Sequence, residues 1–189
     1  MGAKICLEHI KIFSLLIFII FLNTQNTTSQ SHSAGLLSSL KPLSVVAFFS
    51  SECPICKKSA TAFAELISKY SDKVDFWIIF PGDFETKRSV EKFCKNYKLK
   101  IQKVTTVLDK DHQWVKKYNA LITPEYFLID QRGYIVYSGA LDDRFVSVGI
   151  QKRKAEKFYL KESLEAALNN QPPPIKRTEP IGCYITKKD

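Results

Sequence analysis

The chain has 189 residues, with 28 Lys plus Arg against 19 Asp plus Glu and a formal net charge of +9 at pH 7. An apolar fraction of 45%, with 12% aromatics, excludes a mainly disordered chain, which would lack the residues that bury a core. The length accommodates one domain with appendages, and no second apolar block is long enough to build a partner domain.

The first 34 residues read as an export segment. Lys4 and Lys11 precede an apolar run over 12–22, in which Ser14 is the one polar residue, and a stretch of mostly small and polar residues follows over 23–34. A positive flank, a short apolar core and then small polar residues is the layout of a secretory signal. The run is about half of the ~20 residues that a spanning helix needs. The alternative is an uncleaved anchor over residues 5–22, and membrane contact is expected only in that case. Cys6 lies ahead of the apolar run and so is not placed as a lipoprotein acylation site. The organisation predicted is a signal over 1–34, a domain over 35–170 and an extended tail over 171–189. The compartment expected is extracytoplasmic, such as the periplasm.

Past the signal, strands and helices alternate. The apolar run 45–49 suits a strand buried on both faces. Pro54 opens a helix in which Ala60, Phe63, Ala64 and Ile67 recur at helical spacing, since proline is tolerated in a first turn. A second buried strand covers 74–80 and is closed by Pro81-Gly82. Val90, Phe93, Cys94 and Tyr97 form the stripe of a second helix, with Cys94 read as a buried small hydrophobe. A short strand follows over 104–108, then a helix carrying Trp114, Val115 and Tyr118, with Asp111 expected as its cap. Strands over 126–129 and 134–137 flank Asp130-Gln131-Arg132-Gly133, a hairpin signal. Leu160, Leu164, Ala167 and Leu168 mark a last helix, and the prolines from Pro172 onward end it. Such alternation implies an α/β fold whose central mixed sheet has helices on both faces.

Charge and histidine content narrow the chemistry. Lysines and arginines are scattered among acidic residues with no nucleic-acid motif, so a solvated basic surface is expected and no nucleic-acid partner. Histidines number three, and His112 alone falls in the domain body, which leaves little for a hydrolase triad or a metal site. No metal and no cofactor are called for. Cys53, Cys56, Cys94 and Cys183 would occupy an oxidising compartment, where disulfides and redox catalysts persist. Four cysteines allow three pairings, and the sequence does not choose among them.

The chemistry is concentrated in Ser51-Glu52-Cys53-Pro54-Ile55-Cys56, at the junction of a buried strand and a helix. Cys53 would sit at the helix N-terminus, where free backbone N–H groups and the macrodipole favour a thiolate, the nucleophile of disulfide exchange. Cys56, one turn on, can resolve a mixed disulfide. A structural disulfide or half of a zinc site are the bland alternatives; the zinc site lacks a second close-spaced ligand pair.

These residues resemble the thioredoxin superfamily, in particular its exported thiol–disulfide oxidoreductases and peroxiredoxin-like redoxins, over residues 42–170. The resemblance implies a thioredoxin-like fold. It also implies that Thr123-Pro124 carries a cis-proline facing Cys53 and Cys56 and shaping a groove for substrate, with Pro54 and Ile55 at the helix N-terminus. The stretch Tyr137-Ser138-Gly139-Ala140-Leu141-Asp142-Asp143-Arg144 and the ending Gly182-Cys183-Tyr184-Ile185 resemble the peroxiredoxin-like subfamily. Partners implied are disulfide-containing or dithiol proteins, together with a reductant or oxidant that resets the pair. Four departures stand out. Glu52 replaces the family tryptophan and opposes a thiolate, which Lys57 and Lys58 would favour. Ala47 stands where a buried acid serves proton transfer, leaving water or Glu125 for that task. Ser50 can replace the threonine of peroxiredoxins, whereas Val46 cannot replace their proline. The N-terminal hairpin of exported redoxins is missing, since only residues 35–44 separate the signal from the first strand.

Three functions therefore stand side by side: a thiol–disulfide oxidoreductase, a peroxiredoxin-like antioxidant peroxidase with Cys56 or Cys183 resolving Cys53, and a copper-handling module using His112. Cys183 lies thirteen residues beyond Asn170. An extended tail of that length spans roughly 40 Å at ~3.1 Å per residue. The domain's radius of gyration is only ~14 Å. The tail can therefore reach Cys53, as a resolving cysteine or as a spare thiol.

Overall fold

The structure is a computed structural model that describes residues 41–186; the signal segment and Cys6 lie outside the described residues, as does most of the stretch where a family hairpin was missed. A five-stranded sheet forms its centre, in the order β3-β2-β1-β5-β6. Strands β1 (Leu43–Phe48), β2 (Val74–Pro81) and β3 (Thr105–Asp109) run parallel. Strand β5 (Glu125–Asp130) pairs antiparallel with β1, and β6 (Ile135–Gly139) pairs antiparallel with β5 at the sheet edge. The sheet is mixed because the β1–β2 link is a helical crossover, whereas β5 and β6 are joined by a tight turn. In that turn Gly133 adopts φ +85°, and the Asp130 carboxylate accepts from the Arg132 and Tyr134 amides.

Every residue of β1 is buried, as befits a central strand covered on both faces. Its alternating side chains build two cores. Val45, Ala47 and Phe49 point to the side of helices α1 (Pro54–Tyr70), α2 (Lys87–Asn96) and α4 (Tyr159–Leu168). There Phe49 stacks on Phe63 at 5.6 Å and meets Phe93 and Tyr126 edge-on. Truncating such a ring to alanine costs about 3–5 kcal/mol. On the other face Phe48 packs against Tyr118 and Phe127, and Trp77 against Trp114 of helix α3 (Gln113–Tyr118). Cys94 is fully buried on α2, and burial pushes its thiol up to about 11.

The start of α3 departs from expectation. Its N-cap is His112, in a left-handed conformation, and the carboxylate that satisfies its orphan amides belongs to Asp109 rather than Asp111. Asp109 Oδ2 accepts from both Trp114 N and Val115 N at 3.0 Å. His112 itself is buried, at 4% exposure.

Four short strands complete the described residues: β4 (Ile122–Thr123), β7 (Phe145–Ser147), β8 (Ile150–Gln151) and β9 (Cys183–Tyr184). The β7–β8 excursion is closed by Asp143, which accepts from the Glu156 and Lys157 amides and pairs with Lys152. The tail does not leave the domain. Ser138 N donates to Lys176 O and Thr178 N to Ser138 O, and the chain then turns back so that β9 pairs antiparallel with β4.

Candidate active site

The site sits at the carboxyl end of β1, where open α/β sheets leave a crevice. Because β5 runs antiparallel with Phe48 opposite Glu125, the residue preceding β5, Pro124, arrives beside the chain leaving β1. The Thr123–Pro124 peptide is cis. Cys53 is the N-cap of α1, with Pro54 in the first turn and no acidic residue there to compete for the free amides. Cys53 and Cys56 are both buried, at 3% and 0% exposure, and neither is in a disulfide.

The electrostatics separate the two thiols. Cys53 is drawn down to about 5, first by a hydrogen bond from the Cys56 thiol, against the opposing effect of burial, and then by the Cys183 thiol and the backbone amides of Cys56 and Ile55. These are the unpaired N–H groups of a helix start, here serving a sulfur. Cys56 is pushed well above the ordinary thiol range, chiefly by burial and then by its bond to Cys53; the Ser50 amide, 3.4 Å from its sulfur, works the other way. In its thiol form Cys53 donates to Thr123 O at 3.2 Å. That carbonyl disfavours the thiolate, so the thiolate is held by the donors on its other sides.

Lys57 and Lys58, expected to favour the thiolate, are not among these causes; Lys58 reaches out to Gln151 instead. Ser50 spends its hydroxyl on the Glu52 amide at 3.2 Å. Glu125 is buried on the other face of the sheet from Tyr126. Its carboxylate accepts from Leu121 N, and burial raises its pKa, so it is committed to the turn before β4 rather than turned to the cysteines.

Two contributors were missed by sequence reasoning. Glu85 is fully buried and accepts from Ser51 N at 2.7 Å, Ser51 Oγ at 2.8 Å and Ser89 Oγ at 3.0 Å. It ties the turn that presents Cys53 to the N-terminus of α2. The signal available was its place just before Thr86, whose reciprocal bonds with Ser89 form a capping box. The second is the register of the tail: Thr123 lies opposite Cys183, and the Cys183 sulfur stands 2.7 Å from Cys53 Sγ. The structure therefore gathers Cys53, Pro54, Ile55, Cys56, Thr123, Pro124 and Cys183 at one end of the sheet. Cys94 lies in the core beneath α2, and His112 is buried at the start of α3. A wider groove on the β3 edge, lined by Lys95, Lys98 and Lys100, shares no residue with this cluster. Among the described residues no cluster of three or more His, Cys, Asp or Glu side chains is arranged to hold a metal ion.

Comparison with known proteins agrees with this geometry. The chain is 33% identical over 89 residues to the thiol-disulfide oxidoreductase ResA of Bacillus thuringiensis subsp. konkukian, a match covering 47% of this chain and 49% of the relative. The chain thus spans about half the length of the curated relatives it matches. Among solved structures, a hypothetical protein of Sinorhizobium meliloti 1021 superposes with a TM-score of 0.68 at 25% identity, over 78% of this chain and 81% of that one. A thioredoxin-like protein of Aeropyrum pernix, at 15% identity and a TM-score of 0.50 over 70% of this chain and 80% of that one, shares the fold alone. The Redoxin family model matches residues 21–148. The chain belongs to the Redoxin family, in the thioredoxin superfamily, and its fold is thioredoxin-like.

Proposed function

We propose that the protein is a thiol–disulfide oxidoreductase whose redox centre is Cys53-Pro54-Ile55-Cys56. The observation that carries this reading is the split between two neighbouring thiols: Cys53 near 5, Cys56 held protonated by burial. The Cys53 thiolate attacks one sulfur of a partner disulfide. The S–S bond breaks, one partner thiolate leaves, and a mixed disulfide forms. Cys56 then gives up its proton and attacks Cys53 Sγ, which expels the second partner thiolate and leaves the Cys53–Cys56 disulfide. The partner is oxidised or reduced according to which side of this exchange starts with the bond. Thr123 and Pro124 supply the wall beside Cys53 against which a partner backbone would lie. The name carried by the ResA relatives, thiol-disulfide oxidoreductase, supports the same class of reaction.

The apolar run over 12–22 supports an extracytoplasmic place of work, with a mature chain starting between Gln30 and Gly35. Protein disulfides or dithiols of that compartment are the partners this reading requires.

The test is a pH titration of the reduced protein by thiolate absorbance at 240 nm, subtracting the Cys53→Ser variant. A midpoint near 5, followed on oxidation by a Cys53–Cys56 disulfide in mass mapping, is expected. A midpoint near the ~8.5 of an ordinary cysteine, with Cys53 and Cys56 left unpaired after oxidation, would overturn the reading.

A further inference from the structure

The tail occupies the wall that a partner backbone would need. Strand β9 pairs antiparallel with β4, with Thr123 opposite Cys183 and Ile122 opposite Tyr184. Ile185 N donates to Leu121 O at 2.9 Å, and Thr123 Oγ1 faces Cys183 O at 3.4 Å. The approach is close enough that a Cβ on Gly182 would stand 2.1 Å from Thr123 O. Upstream, Thr178 Oγ1 bonds Tyr137 OH and accepts from Ala140 N, so the strap is held from both ends. This pairing carries the Cys183 sulfur to 2.7 Å from Cys53 Sγ, against about 2.05 Å in a disulfide bond. A small side-chain rotation closes that gap.

Exposure then assigns roles within the three-sulfur cluster. With the strap seated, Cys53 is 3% exposed and Cys56 is wholly enclosed, so a folded partner reaches Cys53 directly only when the strap leaves the groove. Cys183 is half-buried, and its neighbour Tyr184 is 83% exposed, so the strap's outer side opens to solvent.

We propose that Cys183 is a third redox cysteine, a relay seated by the C-terminal strap in the protein's own partner groove, which exchanges disulfides with Cys53 and passes them to partner proteins. The step conserves electrons. The Cys183 thiol loses its proton and attacks Cys53 Sγ of the Cys53–Cys56 disulfide. The Cys53–Cys183 bond forms, the Cys53–Cys56 bond breaks, and Cys56 leaves as a thiolate that takes up a proton in its buried site. Cys183 is oxidised and Cys56 reduced, with no outside oxidant. Attack by a partner thiolate on Cys183 then hands the bond outward. Breakage of the strap pairing would have the opposite effect, leaving Cys53 open to a partner directly.

This inference rests on the oxidoreductase reading, and the two fail differently. The full chain carrying Cys56→Ala is treated with oxidised glutathione, acid-quenched over time and mapped by mass spectrometry. The expected end product is an intramolecular Cys53–Cys183 disulfide with both glutathione halves released. A lasting glutathione adduct, on either cysteine, with the other still a free thiol, overturns the relay. Failure of Cys53 to enter any disulfide overturns the oxidoreductase reading itself. Adding Gly182→Val, which drives a side chain into Thr123 O, is expected to slow ring closure at least tenfold and let the adduct accumulate. Unchanged closure would overturn the strap as what seats Cys183. The protein with Cys56 intact gives the check that needs no variant. In a glutathione redox buffer it should hold two one-disulfide species, alkylated at Cys56 or at Cys183, and a single species always alkylated at Cys183 would overturn the proposal.

Discussion

Helices α1 and α3 begin with the same physical problem and solve it differently. Each exposes backbone N–H groups with no intrahelical acceptor, and each lies beside a buried strand end. In α3 a carboxylate from Asp109 takes two of these amides at 3.0 Å, and the end is neutralised. In α1 no side chain caps the helix, no acid lies in its first turn, and the Ile55 and Cys56 amides are left to the Cys53 sulfur. One helix end is stabilised by a side chain that serves structure alone. The other is left to a group whose charge comes and goes with chemistry. A helix start without its usual acid is thus a place where the dipole has been kept in reserve for a reaction.

The contrast can be broken at several points. Cys53→Ser should abolish exchange with a protein disulfide, a loss on the order of 10³-fold or more, read as reductive turnover of insulin. Asp109→Ala should cost about 2–3 kcal/mol, because two buried amides lose a charged acceptor; the denaturation midpoint should fall while the 240 nm titration of Cys53 stays put. Cys56→Ala removes the first of the influences that lower Cys53, so that titration should move upward, and further than in Cys183→Ala. A larger shift in Cys183→Ala would reverse the ranking. Thr86→Ala, at the capping box of α2, should cost about 1 kcal/mol of stability. The pH dependence has a definite sign. Cys53 is depressed in the folded state, so the unfolded chain binds one more proton between about pH 5 and 8.5, and the stability of the reduced protein should rise with pH across that window. The stabilisation is lost as pH falls toward 5, and chemical denaturation at pH 5 and pH 8 would show it.

Much of the sheet was legible because its signals are local. Pro54 and the stripe Ala60, Phe63, Ala64 and Ile67 mark α1 directly, and Gly133 marks the β5–β6 turn. The resemblance to the superfamily, carried by residues 48–56 and 122–125, agrees with the Redoxin match. The strand expected over 104–108 is displaced by one residue, since Ile101–Lys103 forms a single 3₁₀ turn ahead of it. What was not legible depends on partners distant in sequence. Asp109 caps a helix that starts four residues later, and the nearer Asp111 was the natural choice by spacing. Glu85 reads as one more surface acid until Ser51, 34 residues away, is folded onto it. Tail length shows that Cys183 reaches Cys53, but only the register of β9 on β4 says that it arrives.

Cys94 offers a different kind of use. Its thiol is sealed between α2 and the sheet and held protonated to about 11, so reagents in neutral solution have neither access nor a nucleophile to meet. Any labelling of Cys94 must wait for that layer to open. Its rate of modification is a stopwatch on the lifting of a helix from the sheet, read in the native protein without denaturant, and on a residue that takes no part in the redox cycle.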